Sequence, residues 1–552
     1  MRQILLPAAV GGVLLCATAI VSAAEALTSH FAPLLVSDPN ETSQDMGSGI
    51  AADARGNFVA IWQDQDSGGV PSSRVMARRV SFSGLPLTGA FLVNAPGALF
   101  SMAPSVASDA DGNFMVVWGD HPEGDSQSMT IRARRFDAQG TAPGPIIQVN
   151  APATLADSGP TIAMNHAGDY VIAWSRKGSP SEVVARAFDA GGASLGPEFV
   201  IPLLAAPDSS LIGLALTAGR KIVVGSTASN VEGGNDFRLQ CYDSQGTALS
   251  TATDVGPRTA QIIPGNTGAM TAAADGQIYM AWPQVRTDEP TGPVSEMQLK
   301  SLASDCVTVR WSARPFSGLS SELLVHEVAL SLEPSGTKLG AAWTVDQDSR
   351  QTSSLQVLSD TGTVIAETVP VVEGNDHPVL TAPRLTLRRN RISAAWGQLD
   401  INDSAALTDV FARGFFLGSA ADAHADKARL EFGEQTVGTT STAREIRIAN
   451  DGNAPLSIST VTASGDFSVS SNGCVSAVAP GATCVVAVTF TPTRSGSRSG
   501  ALQVNSNSVG GPTVVPLSGT GNSAAGGGGG GALSWPLLAL GLAVMAMRRR
   551  GR

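Results

Sequence analysis

The chain has 552 residues and a net charge of −11, and only 5% of its residues are aromatic and 15% charged. This length exceeds what a single hydrophobic core can bury, so two or more domains are expected. The acidic balance argues against nucleic acid as a partner, because nucleic-acid binding needs a basic patch. The 60 glycines favour many short strands and tight turns over helices.

The first 23 residues have the organisation of a secretory signal peptide. Arg2 supplies the positive charge, an apolar run covers residues 4–20, and Val-Ser-Ala at positions 21–23 forms a small-residue cleavage site. We therefore expect export through the Sec pathway and removal of residues 1–23. The mature protein would enter an oxidising compartment, in which disulfides can form.

Residues 31–418 repeat a unit of four short strands, and its clearest marker is a tryptophan at the end of the second strand. Each marker follows a continuous apolar run, which is typical of a strand buried on both faces. Gly225 takes the marker position in the fourth unit. The tryptophans are Trp62, Trp118, Trp174, Trp282, Trp343 and Trp396. Intervals of 51 to 61 residues between markers predict an all-β fold with a seven-bladed β-propeller, six or eight blades being the alternatives.

The seventh unit has three strands and stops near Leu417 without a fourth. Residues 31–37 (F-A-P-L-L-V-S) read as a fourth strand with no three strands before it. Pairing the two would close the ring and remove its open sheet edges. We therefore predict that residues 31–37 complete the last blade.

Turns with glycine and asparagine or aspartate join the first and second strands of the units, as in D-A-D-G-N at Asp109. Asp109 and Asp111 also fit part of a calcium-loop pattern, but the distal glutamate of such a loop is missing. We expect no cofactor, with Ca²⁺ as the alternative.

The loops between second and third strands are long and acidic, and in a propeller these loops share one face. Six of the seven units place carboxylates there, on what we call the acidic rim. The candidate ligand-binding residues of the rim are Asp64, Asp66, Asp120, Asp125, Asp236, Asp346, Asp348 and Asp403. The pattern fits either a set of solvated loops or a binding face for a basic or cation-bridged partner.

A short polar segment, residues 419–428, is interpreted as a linker, and residues 429–520 alternate strands with N-D-G-N, P-G and S-G turns. That pattern predicts an immunoglobulin-like β-sandwich. The motifs that carry a resemblance are Phe432-Gly433, Asn450 to Leu456, Phe467, Pro480-Gly481, Phe490 to Pro492 and Leu517 to Gly519. Through them the segment resembles the ASH (hydin-like) domain of choice-of-anchor D proteins.

Two cysteines of this domain, Cys474 and Cys484, flank a Pro-Gly turn and could meet across a hairpin as a disulfide. No histidine neighbours them, so we expect no metal there. Cys241 and Cys306 lie in the fourth and fifth units, and the sequence leaves open whether they pair.

Residues 521–531 form a glycine-rich spacer, and residues 532–552 are an apolar segment that ends in arginines, expected to be a helix. Together they resemble a GlyGly-CTERM sorting tail. The resemblance implies membrane insertion, cleavage by a rhomboid-type protease and delivery to the surface of a Gram-negative bacterium. A permanent C-terminal membrane anchor is the alternative.

The sequence contains no histidine pair with metal-ligand spacing, no nucleophile elbow and no phosphate-binding loop. The expected function is therefore a monomeric, non-catalytic scaffold at the cell surface or outside the cell, which binds a protein or glycan. A polysaccharide hydrolase that uses rim carboxylates is one alternative. A structural component of the surface or matrix is the other.

Overall fold

The computed structural model describes residues 25–37, 43–66, 72–96, 100–121, 129–151, 157–176, 182–201, 210–229, 235–256, 260–261, 268–286, 294–318, 324–347, 350–372, 383–399, 408–427 and 429–523. Every regular element in these ranges is a β-strand, so the all-β prediction is confirmed for them. None of these residues belongs to a helix that could span a membrane. The predicted signal peptide and the apolar segment 532–552 lie outside the described residues.

Thirty strands of the described residues build the larger domain. They are β1 (Leu27–Ser29), β2 (Leu34–Leu35), β3 (Ser43–Ala52), β4 (Phe58–Asp66), β5 (Ser72–Val80), β6 (Phe91–Leu92), β7 (Phe100–Ser108), β8 (Phe114–His121), β9 (Thr130–Phe136), β10 (Ile147–Gln148), β11 (Asp157–Met164), β12 (Tyr170–Arg176), β13 (Glu182–Phe188), β14 (Phe199–Ile201), β15 (Ser210–Leu216), β16 (Ile222–Ser229), β17 (Asn235–Tyr242), β18 (Thr253–Asp254), β19 (Ala260–Gln261), β20 (Ala269–Ala272), β21 (Ile278–Arg286), β22 (Val294–Leu302), β23 (Val309–Gly318), β24 (Leu324–Leu332), β25 (Lys338–Gln347), β26 (Arg350–Ser359), β27 (Val364–Pro370), β28 (Arg384–Arg388), β29 (Arg391–Leu399) and β30 (Thr408–Leu417).

These strands form seven antiparallel units, which we number blades 1 to 7 in chain order from β3. Within each blade the strands follow one another from the centre outward, and β19 lies beside β20 on β21. The innermost strands β3, β7, β11, β15, β20, β24 and β28 are neighbours in that order, and β28 lies against β3 again. The ring of blades is therefore closed, as in a β-propeller.

Blade 7 is completed by the amino-terminal end of the described chain, as predicted. β1 pairs with β30 through Leu27 and Leu417, and β2 pairs with the same strand through Leu34 and Ala412. The closing segment begins before the predicted residues 31–37, because β1 precedes them. We call residues 25–37 the latch.

His30 separates the two strands of the latch and packs into an aromatic cluster. Its ring stacks on Phe82 with centroids 5.0 Å apart and meets the edge of Phe416 at 4.5 Å. Burial, and to a lesser extent the charge of Arg391, lower the pKa of His30 from 6.5 to about 4. The folded latch therefore holds His30 in its neutral form at neutral pH.

This lowered pKa predicts acid sensitivity. Between pH 6.5 and about 4 the unfolded chain binds a proton at His30 that the folded chain does not, so the free energy of unfolding falls as the pH falls. We expect His30→Phe to lose part of this dependence, with a melting temperature that drops a few degrees less than the wild type between pH 7 and about pH 4.5. Thermal unfolding at both pH values measures it.

The marker tryptophans are buried between blades, as predicted, and each is at most 2% exposed. A second kind of contact also joins the blades. In five of them a cation on the third strand donates a hydrogen bond to a backbone carbonyl at the end of the preceding blade. The pairs are Arg78 with Ser37, Arg134 with Val93, Arg186 with Val149, Lys300 with Val255 and Arg413 with Val371. The first of these pairs ties blade 1 to the latch.

A disulfide joins Cys241 to Cys306, which settles a pairing that the sequence left open. Cys241 lies on β17 in blade 4, and Cys306 lies in the turn between β22 and β23 in blade 5. The disulfide therefore crosses from one blade to the next.

Eight further strands build the smaller domain: β31 (Ala423–Ala425), β32 (Leu430–Thr436), β33 (Arg444–Asn450), β34 (Ile458–Ala463), β35 (Phe467–Asn472), β36 (Thr483–Phe490), β37 (Gly496–Ser506) and β38 (Thr513–Asn522). They form two sheets, ordered β31-β33-β36-β35 and β32-β38-β37-β34. The predicted immunoglobulin-like sandwich is therefore present, with a core that includes Phe432, Phe467 and Phe490. Cys474 and Cys484 form a disulfide within it.

The predicted linker, residues 419–428, is wrong in one respect, because it contains β31. This strand pairs with β33, and Ala421 before it packs into the sandwich core. Asn450 holds the start of the segment through its buried amide, whose Oδ1 accepts a hydrogen bond from the Asp422 N–H. The polar composition misled the prediction, since these polar groups are satisfied inside the protein.

Candidate functional site

The propeller has two faces of different composition. The first-to-second and third-to-fourth strand turns lie on one face, which we call the turn face. The second-to-third strand loops and the connections between blades lie on the other, the loop face, and most of their residues lie outside the described ranges. The described residues of the predicted acidic rim belong to the loop face.

Five of the predicted rim residues belong to strand ends at the loop face. The side chains of Asp64, Asp120 and Asp346 are described, and Asp66 and Asp236 are described as backbone within β4 and β17. The other three, Asp125, Asp348 and Asp403, lie outside the described residues. The strand ends of four blades, 1, 2, 4 and 6, thus place rim residues on the same face, and ligand binding by them stays a prediction.

Asp64 lies inside blade 1, away from solvent. Its side chain is 0% exposed, and its Oδ2 lies 2.5 Å from Nη2 of Arg74 on the adjacent strand. Its neighbour on the other side, across β3, is Asp45, which is only 3% exposed. A side chain without exposed surface cannot contact a partner, so Asp64 is a poor candidate for ligand contact.

Asp120 takes part in a similar internal network at the end of β8. Its Oδ1 accepts hydrogen bonds from Nε1 of Trp118 and Oγ of Ser101, both at 2.6 Å, and Arg132 lies 3.6 Å away. The same contact recurs in other blades, where tryptophan Nε1 donates to the side chain two residues on. The recurrences are Trp282 with Gln284 and Trp396 with Gln398, each at 2.9 Å. The W-x-D/Q pattern is the signal that sequence reasoning missed.

An asparagine after the fourth strand extends this network in blades 1 and 2. Asn94 donates to Oγ of Ser101, and Asn150 donates to Asp157 at 2.8 Å. Asp157 in turn pairs with Arg176 at 3.0 Å. The repeated V-N-A-P motif could have indicated these residues. The network forms a polar layer beneath the loop face, and it connects neighbouring blades.

The sandwich contacts the turn face of the propeller at blades 7 and 1. Arg391 forms an ion pair with Asp422, and both side chains are less than 10% exposed. The Arg391 guanidinium also lies 4.9 Å from the ring centroid of Phe82. Nη1 of Arg389 donates to the Val509 carbonyl at 2.6 Å.

The latch takes part in the same interface. Nδ2 of Asn453, in the sandwich, donates to Oγ1 of Thr28 in β1 at 3.0 Å. Phe82, Phe416, Ala420 and Val509 pack together as a small apolar cluster. Blade 7, blade 1, the latch and the sandwich are therefore joined at one place.

A cleft of about 570 Å³ opens beside this interface, between the turn face and the sandwich. Arg55, Arg388, Arg389 and Arg391 line it from the propeller, and Asp422 and Asp451 from the sandwich. Burial lowers the pKa of Arg391 to about 10, although Asp451 opposes this, and burial raises the pKa of Asp451. Within the described residues no group of three or more potential ligands could hold a metal ion.

The fold defines a β-propeller followed by an immunoglobulin-like sandwich. A model of the family "ASH: Abnormal spindle-like microcephaly-assoc'd, ASPM-SPD-2-Hydin" matches residues 420–514, which confirms the ASH resemblance of the sandwich. The match begins inside the predicted linker, in agreement with β31. Comparison with characterised proteins finds no match.

Several solved structures are similar to the chain. A protein of unknown function from Dyadobacter fermentans has 10% identity and a TM-score of 0.41, over 71% of this chain and 99% of that one. The polysaccharide lyase Uly1 has 10% identity and a TM-score of 0.42, over 67% and 90%. The β-propeller domain of the Trilobed protease from Pyrococcus furiosus has 9% identity and a TM-score of 0.40, over 67% and 95%.

Proposed function

We propose that this protein is an exported, non-catalytic binding scaffold. Its loop face binds a protein or glycan partner, and its sandwich supports the propeller from the turn face. One observation supports this best: the sandwich joins the turn face, at Arg391 and Asp422, opposite the loop face. The sandwich therefore leaves the strand ends at the loop face free for contact.

The position at which the chain leaves the sandwich also favours a loop face that points toward a partner. β38 begins at Thr513, which lines the cleft beside the propeller, and ends at Asn522. Ten residues of strand span roughly 30 Å, so the chain leaves the sandwich at the end away from the propeller. A surface attachment through the C-terminal tail would then turn the loop face outward.

Loss of three rim carboxylates tests the proposal. We expect the triple variant Asp125→Asn, Asp346→Asn, Asp403→Asn of the full-length protein to bind its partner at least about tenfold more weakly, because charge complementarity at the rim is removed. Glycan arrays and whole bacterial or host cells as probes measure the binding. Asp64 is left intact, because its loss would disturb blade 1.

The matched control removes three exposed carboxylates from the turn face, Asp111→Asn, Asp275→Asn and Asp305→Asn, with the same change of charge. It should bind as the wild type does. Equal binding by both triple variants would contradict the rim as the binding face. Release of reducing sugar from polysaccharide, abolished by the rim variant, would instead establish the hydrolase alternative.

A further inference from the structure

Two cavities meet at one arginine on the turn face. The interdomain cleft of about 570 Å³ is the first, and a cavity of about 180 Å³ at the turn-face end of the central channel is the second. Arg388, the last residue of β28, lines both of them. His166 and Glu333 line the channel cavity with it.

The Arg388 guanidinium has few neighbouring groups that could neutralise its charge. Its hydrogen bond in the described residues goes from Nη1 to the carbonyl of the adjacent Leu387, at 3.0 Å. No carboxylate of the described residues forms an ion pair with it; Asp53 attracts it only from a longer distance. Burial lowers the pKa of Arg388, because the charged form of a side chain is disfavoured where it is poorly solvated.

The charges around the cleft favour an anion. Arg55 and Arg389 line it with Arg388, while Asp422 on the opposite wall is already paired with Arg391. Asp426 and Asp451 are the other carboxylates that line the cleft, and Lys427 lines it as a further cation, so five cations face three carboxylates. A planar guanidinium with free N–H groups matches the two oxygens of a carboxylate, sulfate or phosphate.

We propose that the cleft is a binding site for a small ligand that carries an oxyanion group, and that Arg388 is its main contact. The size of the cleft and its position between two domains are those of ordinary small-molecule sites. Arg55 adds positive charge at the mouth. This site lies on the face opposite the acidic rim, so it does not depend on the function proposed above.

Calorimetric titration of the full-length protein tests the site, with sodium sulfate at constant ionic strength in sodium chloride as the first probe. D-glucuronate, with neutral D-glucose as its control, is the second. We expect sulfate or glucuronate to bind and glucose to have no effect. Tighter binding of glucuronate would assign a carboxylate ligand, and tighter binding of sulfate a tetrahedral oxyanion.

Arg388→Met should weaken the binding at least about tenfold, because the paired N–H donors of the guanidinium are lost. Arg310→Met removes the same charge from an exposed position on β23 and should leave it unchanged. If Arg388→Met fails to fold, Arg55→Met on the exposed first turn of blade 1 should still weaken binding several-fold. Equal affinities for Arg388→Met, Arg55→Met and Arg310→Met, or no binding below about 100 mM, would overturn the proposal.

Discussion

Deletion of the latch, residues 25–37, should lower the free energy of unfolding by on the order of 5 kcal/mol. The deletion removes β1 and β2 from β30 and takes away Val36, which is fully buried and whose N–H donates to the Val410 carbonyl. It also leaves β30 as an open edge that can pair with another chain. Urea unfolding, followed through the buried tryptophans, measures the loss, and sedimentation measures association.

A pair of point variants separates the latch from general effects of truncation. Val36→Asp places a carboxylate in the core between blades 7 and 1, so we expect a loss of about 3 kcal/mol or more. Leu85→Asp makes the same kind of change at a side chain that is 65% exposed, and should cost less than about 0.5 kcal/mol. A latch deletion as stable and monomeric as the wild type would contradict closure by the N-terminal segment.

Arg391→Met is expected to release the sandwich from the propeller, at a cost of about 3–5 kcal/mol to their contact. The reason is that Asp422 would stay buried at the interface without its partner. The two domains remain joined by the chain, so the measurements are a larger hydrodynamic radius and faster protease cleavage near residues 418–428. The double variant Arg391→Met, Asp422→Asn should recover part of the contact, because the unpaired charge is gone.

Arg429→Met is the matched control within the sandwich. Arg429 also pairs with a carboxylate, that of Glu431 at 2.9 Å, but the two side chains are 73% and 57% exposed. Solvent screens such a pair, and we expect its loss to change the contact by less than about 1 kcal/mol. If Arg391→Met and Arg429→Met gave the same radius and cleavage rate, the docked arrangement would be wrong.

The propeller could be predicted from the sequence because its pattern repeats. A tryptophan within the second strand of six of the seven blades packs between blades, so it recurs wherever that packing recurs. The latch could be predicted because an incomplete last unit leaves an unpaired edge. The start of the latch pairing at Leu27 could not be predicted, because β1 is only three residues long and His30 interrupts the strand pattern.

The candidate site was harder to predict, because the sequence pattern of an acidic residue near a loop is the same whether its side chain faces solvent or the interior. Asp64 and Asp120 both follow a marker tryptophan by two residues, and the structure places them in internal networks. Their partners, Arg74 and Ser101, lie on other strands. The W-x-D/Q pattern could have indicated the contact of Asp120 with Trp118, whereas the contacts with Arg74 and Ser101 become visible only with the strand register.

Contacts between the domains left no signal in the sequence. Arg391 and Asp422 lie 31 positions apart in different domains, and each alone resembles an ordinary polar residue. The cleft and its arginines depend on this docking, so they too were missed. Cys241 and Cys306 could be assigned only when β17 and the turn of blade 5 were placed side by side.

A cross-link between the latch and the sandwich tests the account most directly, because it requires the closed ring and the docked sandwich together. Thr28→Cys with Asn453→Cys replaces two side chains whose polar atoms lie 3.0 Å apart. We predict a disulfide-linked pair of peptides from this variant after proteolysis without reductant. Thr28→Cys with Ser470→Cys, on the far strand β35, should give none. Absence of the first cross-link, or equal yields from both variants, would contradict the account.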